Sequence, residues 1–231
     1  MNVTDDEDAI KRCQHGDIEG LTTLIQRYEA GALRLAFLLT GDRYLAEDIV
    51  QDSFLQAYGA MPRFRLGYPF QPWFHQIVTN TTRMRLRSAS RRHEISIARL
   101  LHDEAQSASM LAGAHAEMNP VAHAESMEDR AAIGQALGML TEKQREAVAL
   151  RYYFAYSDEE IATILGCRVN TARHRVYDGL HALEQLIRKR FPWLLQESAR
   201  EPITPNRADG SHDDSGILSS SAKERVKDET L

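Results

Sequence analysis

The sequence has little cysteine, no long apolar run and no strand-like alternation of apolar and polar residues. Its two cysteines, Cys13 and Cys167, lie far apart and outside any motif spacing, so we expect neither a disulfide framework nor a zinc site. No apolar run approaches the roughly 18 residues that span a membrane, so we expect no membrane insertion. The acidic opening MNVTDDEDAI is unlike a signal peptide, so we expect a cytoplasmic protein.

The composition is that of a globular chain with room for two small cores. The chain has 231 residues, and 43% of them are hydrophobic. Helical periodicity predicts an all-α fold: two small helical domains, 1–92 and 130–190, joined by a flexible linker, 93–129. We expect the polar extension 191–231 to be disordered. The net charge of −5 is unusual for a nucleic-acid binder, but a total hides segregation along the chain.

The stretch 157–183 predicts a helix-turn-helix. Ser157 and Glu160 form a capping box, and Gly166 stands where a turn needs a positive φ. An apolar stripe then follows at helical spacing: Val169, Ala172, Val176, Leu180 and Leu183. The alternative is an ordinary helical hairpin with a solvated polar face.

The opposite face of that second helix carries side chains that suit the major groove. Its donors and acceptors are Asn170, Thr171, Arg173, His174, Arg175 and Tyr177. Such side chains match base edges and phosphates, so the pattern predicts DNA binding.

Three helices are predicted before residue 60, and the third has an acidic face. It runs from about Tyr44 to Tyr58, with its apolar residues inward. Its outward residues are Glu47, Asp48, Gln51 and Asp52. Spacing alone leaves open whether this face is merely solvated or docks a basic partner.

Charge reverses in the segment 62–92, which has seven arginines and no acidic residue. The stretch 63–71 is predicted to be a loop, and Pro72 suits the first turn of the next helix. The loop and helix present these candidate residues: Phe64, Arg65, Tyr68, Phe70, Gln76, Asn80, Arg83 and Arg87. Arginine attracts phosphate and loop aromatics stack on unpaired bases, so the segment is typical of a single-strand binder.

The segment 93–129 reads as a linker, with possible helix only at 95–101. Its histidines form no ligand spacing, and we expect no metal ion or other cofactor. The second domain starts near Met127, and Thr141 and Gln144 predict a helix N-terminus. The apolar sequence FPWLL after Arg190 could dock within the chain.

Three stretches in this order resemble bacterial RNA polymerase sigma factors of the extracytoplasmic-function group. They are AEDIVQDSF (46–54), PFQPWFHQIVTNTTRMRLRSASRR (69–92) and LTEKQREAVALRYYFAYSDEEIATILGCRVNTARHRV (140–176). The resemblance implies an initiation factor that is not itself an enzyme. Its implied partners are core RNA polymerase, through the β′ clamp and the β flap, promoter DNA, and an anti-sigma factor or other regulator.

The resemblance also implies a role for each surface. The acidic face of the third helix would grip the β′ clamp through Glu47, Asp48, Gln51 and Asp52. Of the two alternatives for this face, solvation or docking, the resemblance favours docking. The loop 64–70 would capture a base flipped from the non-template strand, and Asn80 and Arg83 would read the minus-10 element. Thr171 to Arg175 would read the minus-35 element. The linker would thread toward the polymerase channels.

Two departures from the family pattern weaken the expected DNA grip. Asn170–Thr171–Ala172 stands where the family usually has Gly-Thr-Val, and Asp178 and Leu180 stand where it is commonly basic. Three other functions remain: a helix-turn-helix regulator without polymerase docking, a metal- or thiol-dependent enzyme, and an antagonist that mimics a sigma domain. The regulator would not need the aromatic and basic segment 62–92.

Overall fold

A computed structural model describes residues 3–91 and 120–197. In the first range the helices are α1 (Val3–Gln14), α2 (Glu19–Thr40), α3 (Arg43–Ala60), a 3-10 turn (Met61–Arg63) and α4 (Phe70–Arg91). In the second they are α5 (Pro120–Gly138), α6 (Glu142–Phe154), α7 (Asp158–Leu165), α8 (Val169–Arg190) and α9 (Trp193–Glu197). Neither range contains a strand, and the all-α prediction is confirmed.

The first domain packs α1, α3 and α4 around α2. Leu24 and Leu35 of α2, Ile49 of α3 and Phe74 of α4 are fully buried. Two adjacent residues set the limits of α2 and α3. Gly41 ends α2 with its backbone in the left-handed conformation, and the Asp42 carboxylate accepts from the Leu45 amide at 3.0 Å. Helix α3 begins one residue before its predicted start.

The second domain has the predicted helix-turn-helix in α7 and α8. The capping boxes of Thr141 with Gln144 and of Ser157 with Glu160 both form. Gly166 caps α7 with φ +63°, a conformation that costs other residues free energy. The capping boxes and the turn could be predicted because each depends on residues that are close in sequence.

A glycine also lets α8 approach α6 closely. A Cβ on Gly179 would lie 2.6 Å from Val148 Cγ2 and 3.2 Å from the Gln144 carbonyl oxygen. The 2.6 Å contact is shorter than real Cβ contacts and the 3.2 Å contact is tighter than most, so a larger residue would displace Val148 or push α8 away from α6.

Helix α5 corrects the predicted linker. It begins at Pro120, well inside 93–129 and before the predicted domain start at Met127. Its buried residues Ala132 and Ala136 are small, which left only a weak apolar stripe in the sequence. The possible helix at 95–101 lies outside the described residues.

Part of the apolar sequence FPWLL packs within the chain, whereas Trp193 and Leu195 are exposed. Phe191 is buried against Ala132 and Ala136, and the short helix α9 follows it. The extension predicted to be disordered from residue 191 therefore starts with ordered structure. The rest of it, 198–231, lies outside the described residues.

The two domains pack against each other, which the sequence did not predict. Helix α4 contacts α7, and α2 contacts α6, so the buried side chains of both domains form one continuous cluster. The Arg145 guanidinium crosses the boundary and donates to the Leu39 carbonyl at 2.8 Å, at the C-terminal end of α2. Among the helices of the two described ranges, none is long and apolar enough to cross a membrane.

Candidate nucleic-acid interface

The exposed face of α8 displays the residues predicted to read DNA. Asn170, Thr171, Arg173, His174 and Tyr177 are exposed, and Arg175 is half-buried. The opposite face holds the helix in place, since Ala172 and Val176 are buried against the rest of the domain. Side chains at the start of a helix presented in this way can reach base edges in a major groove.

One carboxylate positions Arg173, which is among the residues predicted to contact DNA. The Arg173 Nε donates to Asp158 Oδ2 at 2.8 Å, and Asp158 also accepts from Arg151. The hydrogen bond to Asp158 raises the pKa of the exposed Arg173 guanidinium. The pair therefore links the first helix of the motif to the second and orients Arg173 along the exposed face.

The acidic face of α3 is partly paired within the first domain. Glu47 accepts from Arg43 at 2.9 Å, and Asp52 pairs with Arg85 of α4. The Asp48 and Gln51 side chains are exposed. The hydrogen bond to Asp52 raises the pKa of Arg85.

Two large apolar residues flank this acidic face, and the sequence analysis did not predict them as part of the site. Tyr44 is 68% exposed and Leu55 is 69% exposed. They lie one helical turn from Asp48 and Gln51 respectively, on the face opposite Ile49. The signal was available, because both residues are out of phase with the buried stripe.

The loop before α4 divides its predicted aromatics between core and surface. Phe64 and Phe70 are 8% and 2% exposed. Phe64 contacts the Trp73 ring with centroids 4.8 Å apart, and Phe70 contacts Tyr28 at 5.0 Å. Neither phenylalanine presents a ring face to a base in this arrangement, which the sequence could not indicate because the partners lie on other elements.

Arg65 and Tyr68 are, with Leu66, among the exposed side chains of the loop. Tyr68 is 59% exposed, and the Arg65 guanidinium carbon lies 5.4 Å from its ring centroid. Helix α4 begins at Phe70 rather than after Gln71, so the loop is shorter than predicted and holds these two side chains close together.

Helix α4 has a polar strip formed by Gln76, Asn80, Arg83 and Arg87. The second domain covers half of this strip. Asn80 and Arg87 are exposed. Gln76 Nε2 donates to the Thr163 carbonyl at 3.1 Å, and Arg83 donates from Nε and Nη2 to the two Glu146 carboxylate oxygens, each at 2.6 Å. The hydrogen bonds to Glu146 raise the pKa of Arg83.

A buried histidine lies beside this contact, and the sequence reading did not single it out. His75 Nδ1 is 2.9 Å from the Tyr156 hydroxyl of the second domain, and its Nε2 has no hydrogen-bond partner. Burial lowers the pKa of His75 to about 4. His75 is therefore neutral at pH 7. The sequence did not single it out, because a histidine among aromatic residues resembles an ordinary core position.

The described part of the chain contains no group of three or more side chains suited to a metal ion. Cys13 is buried, Cys167 is half-buried, and both are free thiols. Three of the histidines considered in the sequence, His93, His102 and His115, lie outside the described residues.

Comparison with known proteins assigns both domains. The family model described as Sigma-70 region 2 matches residues 24–92, and the one described as Sigma-70, region 4 matches residues 130–183. The first match covers the domain that a simple helix-turn-helix regulator would lack, so that alternative is not favoured.

Curated relatives and a solved structure extend over most of the chain. The RNA polymerase sigma-H factor of Pseudomonas aeruginosa is 29% identical over 84% of this chain and 97% of its own. The ECF RNA polymerase sigma-E factor of Salmonella typhimurium is 31% identical over 79% of this chain and 94% of its own. Among solved structures, the sigma factor RpoE in complex with the anti-sigma factor NepR from Bartonella quintana matches with a TM-score of 0.53 and 26% identity. That match covers 71% of this chain and 96% of the solved one.

Proposed function

Because the chain belongs to the extracytoplasmic-function group of the sigma-70 family and is a sigma factor that directs transcription initiation, we propose how its surfaces divide that work. The observation that carries the proposal is the separation of charge between exposed faces. An acidic face lies on α3, and basic faces lie on α4 and α8. One face binds the polymerase and the other two bind promoter DNA.

The acidic face of α3 docks on core RNA polymerase. Glu47, Asp48, Gln51 and Asp52 contact the β′ clamp, and exposed Tyr44 and Leu55 add apolar contact beside them. Apolar contacts contribute affinity, and the charged residues between them contribute orientation. The second domain contacts the β flap.

Helix α8 reads the minus-35 element. Arg173 and Asn170 reach base edges, and Arg175 and Thr171 contact phosphates. Asp158 sets the direction of Arg173 before DNA arrives, because it bonds the guanidinium from the neighbouring helix.

The loop before α4 captures the minus-10 base through Arg65 and Tyr68. Phe64 and Phe70 support the loop from below, since both rings are buried in the core. Gln76, Asn80, Arg83 and Arg87 then follow the non-template strand along α4. This revises the expectation that all three aromatics contact the base.

The chain contributes binding and leaves RNA synthesis to the polymerase in the cytoplasm. It has no catalytic residue of its own in this scheme. A relative of similar sequence has been solved with an anti-sigma factor, and we expect this chain to be controlled by an anti-sigma factor or another regulator.

Permanganate footprinting of a promoter complex with core polymerase tests the loop assignment. The Tyr68→Ala variant should lose most of the reactivity of unpaired thymines near the start site, because stacking on the flipped base is gone. Tyr152→Ala removes an equally exposed tyrosine, 59% exposed, on α6 and should leave the footprint unchanged. An unchanged footprint with Tyr68→Ala would refute the assignment.

A further inference from the structure

The second domain covers part of the surface that the melted strand would use. Gln76 bonds the Thr163 carbonyl of α7, and Arg83 bonds Glu146 of α6. Asn80 and Arg87, on the same strip, remain exposed. The closed arrangement thus removes half of the strip from DNA and leaves the other half open.

Glu146 holds Arg83 in the way a phosphate would. Its two carboxylate oxygens accept from Nε and Nη2 at 2.6 Å each, which occupies one edge of the guanidinium fork. That fork matches carboxylate and phosphate geometry equally well. A nucleic-acid phosphate at Arg83 and the Glu146 carboxylate therefore compete for the same donors.

The burial of Glu146 depends on the contact between the domains. Its side chain is 2% exposed, and that of Arg83 is 19% exposed. Charged side chains are rarely this buried unless they are paired. When the domains separate, both groups regain water, so the pair contributes orientation to the closed state more than net free energy.

Further polar contacts accompany the apolar packing between the domains, and that packing is incomplete. The Tyr156 hydroxyl meets His75 Nδ1, and Arg145 meets the Leu39 carbonyl. A cavity of about 190 Å³ lies next to Tyr156, between Tyr28 and Phe70 of the first domain and Tyr156 and Glu160 of the second. Relative motion of two domains is the usual expectation unless their interface is large and mainly apolar.

We propose that this arrangement is an autoinhibited state in which Glu146 takes the DNA-phosphate position on Arg83. Release of the Glu146–Arg83 pair exposes the α4 strip, and single-stranded DNA binds there. The inference rests on the proposed role of α4 in binding the melted strand.

Two measurements on the full chain test the proposal. Small-angle X-ray scattering gives the radius of gyration, and fluorescence anisotropy gives the affinity for a labelled single-stranded oligonucleotide of about 12 nucleotides. The Glu146→Gln variant keeps the side-chain shape but sets an amide donor against a guanidinium donor. It should have a larger radius and bind the oligonucleotide about tenfold more tightly, within the usual range of coupling between sites.

Control variants distinguish the loss of a negative charge from the loss of the Glu146–Arg83 contact. Glu29→Gln removes the same charge from an exposed position of α2 and should change neither measurement. Arg83→Gln combined with Glu146→Gln should open the chain without the gain in affinity. If Glu146→Gln fails to fold, Tyr156→Phe loosens the same contact and should give the same two changes.

The two ways of failing are distinct. An unchanged radius and affinity in the folded variants would overturn the autoinhibited state and leave the proposed function intact. A larger radius without tighter binding would overturn the competition and count against the role of α4 in DNA binding.

Discussion

Arginines make many of the proposed contacts with DNA. Each of the two arginines below is paired with a carboxylate, and the burial of that pair determines whether the arginine can bind DNA in the free chain. Arg173 is exposed and pairs with the half-buried Asp158 at the start of α7, whereas the half-buried Arg83 pairs with the buried Glu146. An exposed pair is weak in water and exchanges readily for a phosphate or a base edge. A buried pair has to be uncovered first, so Arg173 is available in the free chain and Arg83 is not.

Arg173→Ala should weaken promoter-specific transcription about tenfold and leave core polymerase binding unchanged. The reason is that a guanidinium contact to a base edge is lost while α3 is untouched. Transcription from a known promoter and a binding titration with core polymerase measure the two effects. Arg188→Ala, at the other end of α8, is the matched control, and equal loss of both activities with Arg173→Ala would contradict the assignment.

Asp48→Arg should have the opposite effect. A reversed charge in the middle of the acidic face meets the basic partner surface with like charge, and core binding should fall by about tenfold or more. Binding of the isolated chain to promoter DNA should be retained. Glu29→Arg makes the same charge change on exposed α2, and a comparable loss with that control would show that the effect is nonspecific.

At the scale of the element, the turn of the helix-turn-helix depends on backbone conformation alone. A Cβ at Gly166 would meet nothing within 4 Å, yet φ there is +63°. Gly59, inside α3, has equally open surroundings and no positive φ. The two glycines therefore separate conformational strain from steric clash.

Gly166→Ala should lower the free energy of unfolding by about 1 kcal/mol, because alanine is strained in the left-handed region. Gly59→Ala should raise it by about 0.5–1 kcal/mol, since alanine favours the helix. Urea denaturation followed by circular dichroism measures both. Equal effects of the two substitutions would show that φ at Gly166 is not what the turn requires.

The sequence predicted the elements whose causes are local and missed those whose causes are distant. The capping boxes at Thr141 and Ser157 and the turn at Gly166 each depend on residues within a few positions. The start of α5 depends on packing by Ala132 and Ala136, which are too small to mark a stripe. The burial of Phe64, at the loop, depends on Trp73 of α4 and could not be read from a pattern of aromatics.

At the scale of the whole molecule, the sequence does not predict the contact between the domains. Its specific contacts are polar pairs between residues far apart in the chain, and such pairs produce no periodic pattern in the sequence. Arg83 was correctly placed on a basic strip, but nothing near it in the sequence indicates that Glu146 covers it. The same holds for His75, whose partner Tyr156 belongs to the other domain. The sequence therefore predicted which faces of the helices carry polar and basic residues, but not the contacts that these residues make with the other domain.

Acid should weaken the closed arrangement through His75. Burial lowers its pKa from 6.5 to about 4, so the closed chain excludes a proton that the open chain takes up. The stability from this residue is complete above pH 6.5 and is lost as the pH falls from 6.5 toward 4, by up to about tenfold in the closed-to-open ratio per pH unit. Below pH 4 the residue adds no further loss.

Scattering at pH 7 and pH 5 measures this effect. The radius of gyration should increase at pH 5, because Phe154 and Tyr156 pack against His75 from the second domain. His75→Asn keeps a hydrogen-bonding atom near the Nδ1 position and cannot take up a proton, so its radius should depend less on pH. An equal dependence in both proteins would assign the effect to other groups.

The measurement that tests the central claim most directly is transcription by purified core polymerase with this chain as the only added factor. Templates are fragments of the chain's own genome, and the Glu146→Gln, Asp48→Arg and Arg173→Ala variants are run beside the wild type. We predict discrete transcripts that depend on the chain, are reduced by Asp48→Arg and Arg173→Ala, and are increased by Glu146→Gln. No binding to core polymerase and no transcript from the wild type or from Glu146→Gln would contradict the account.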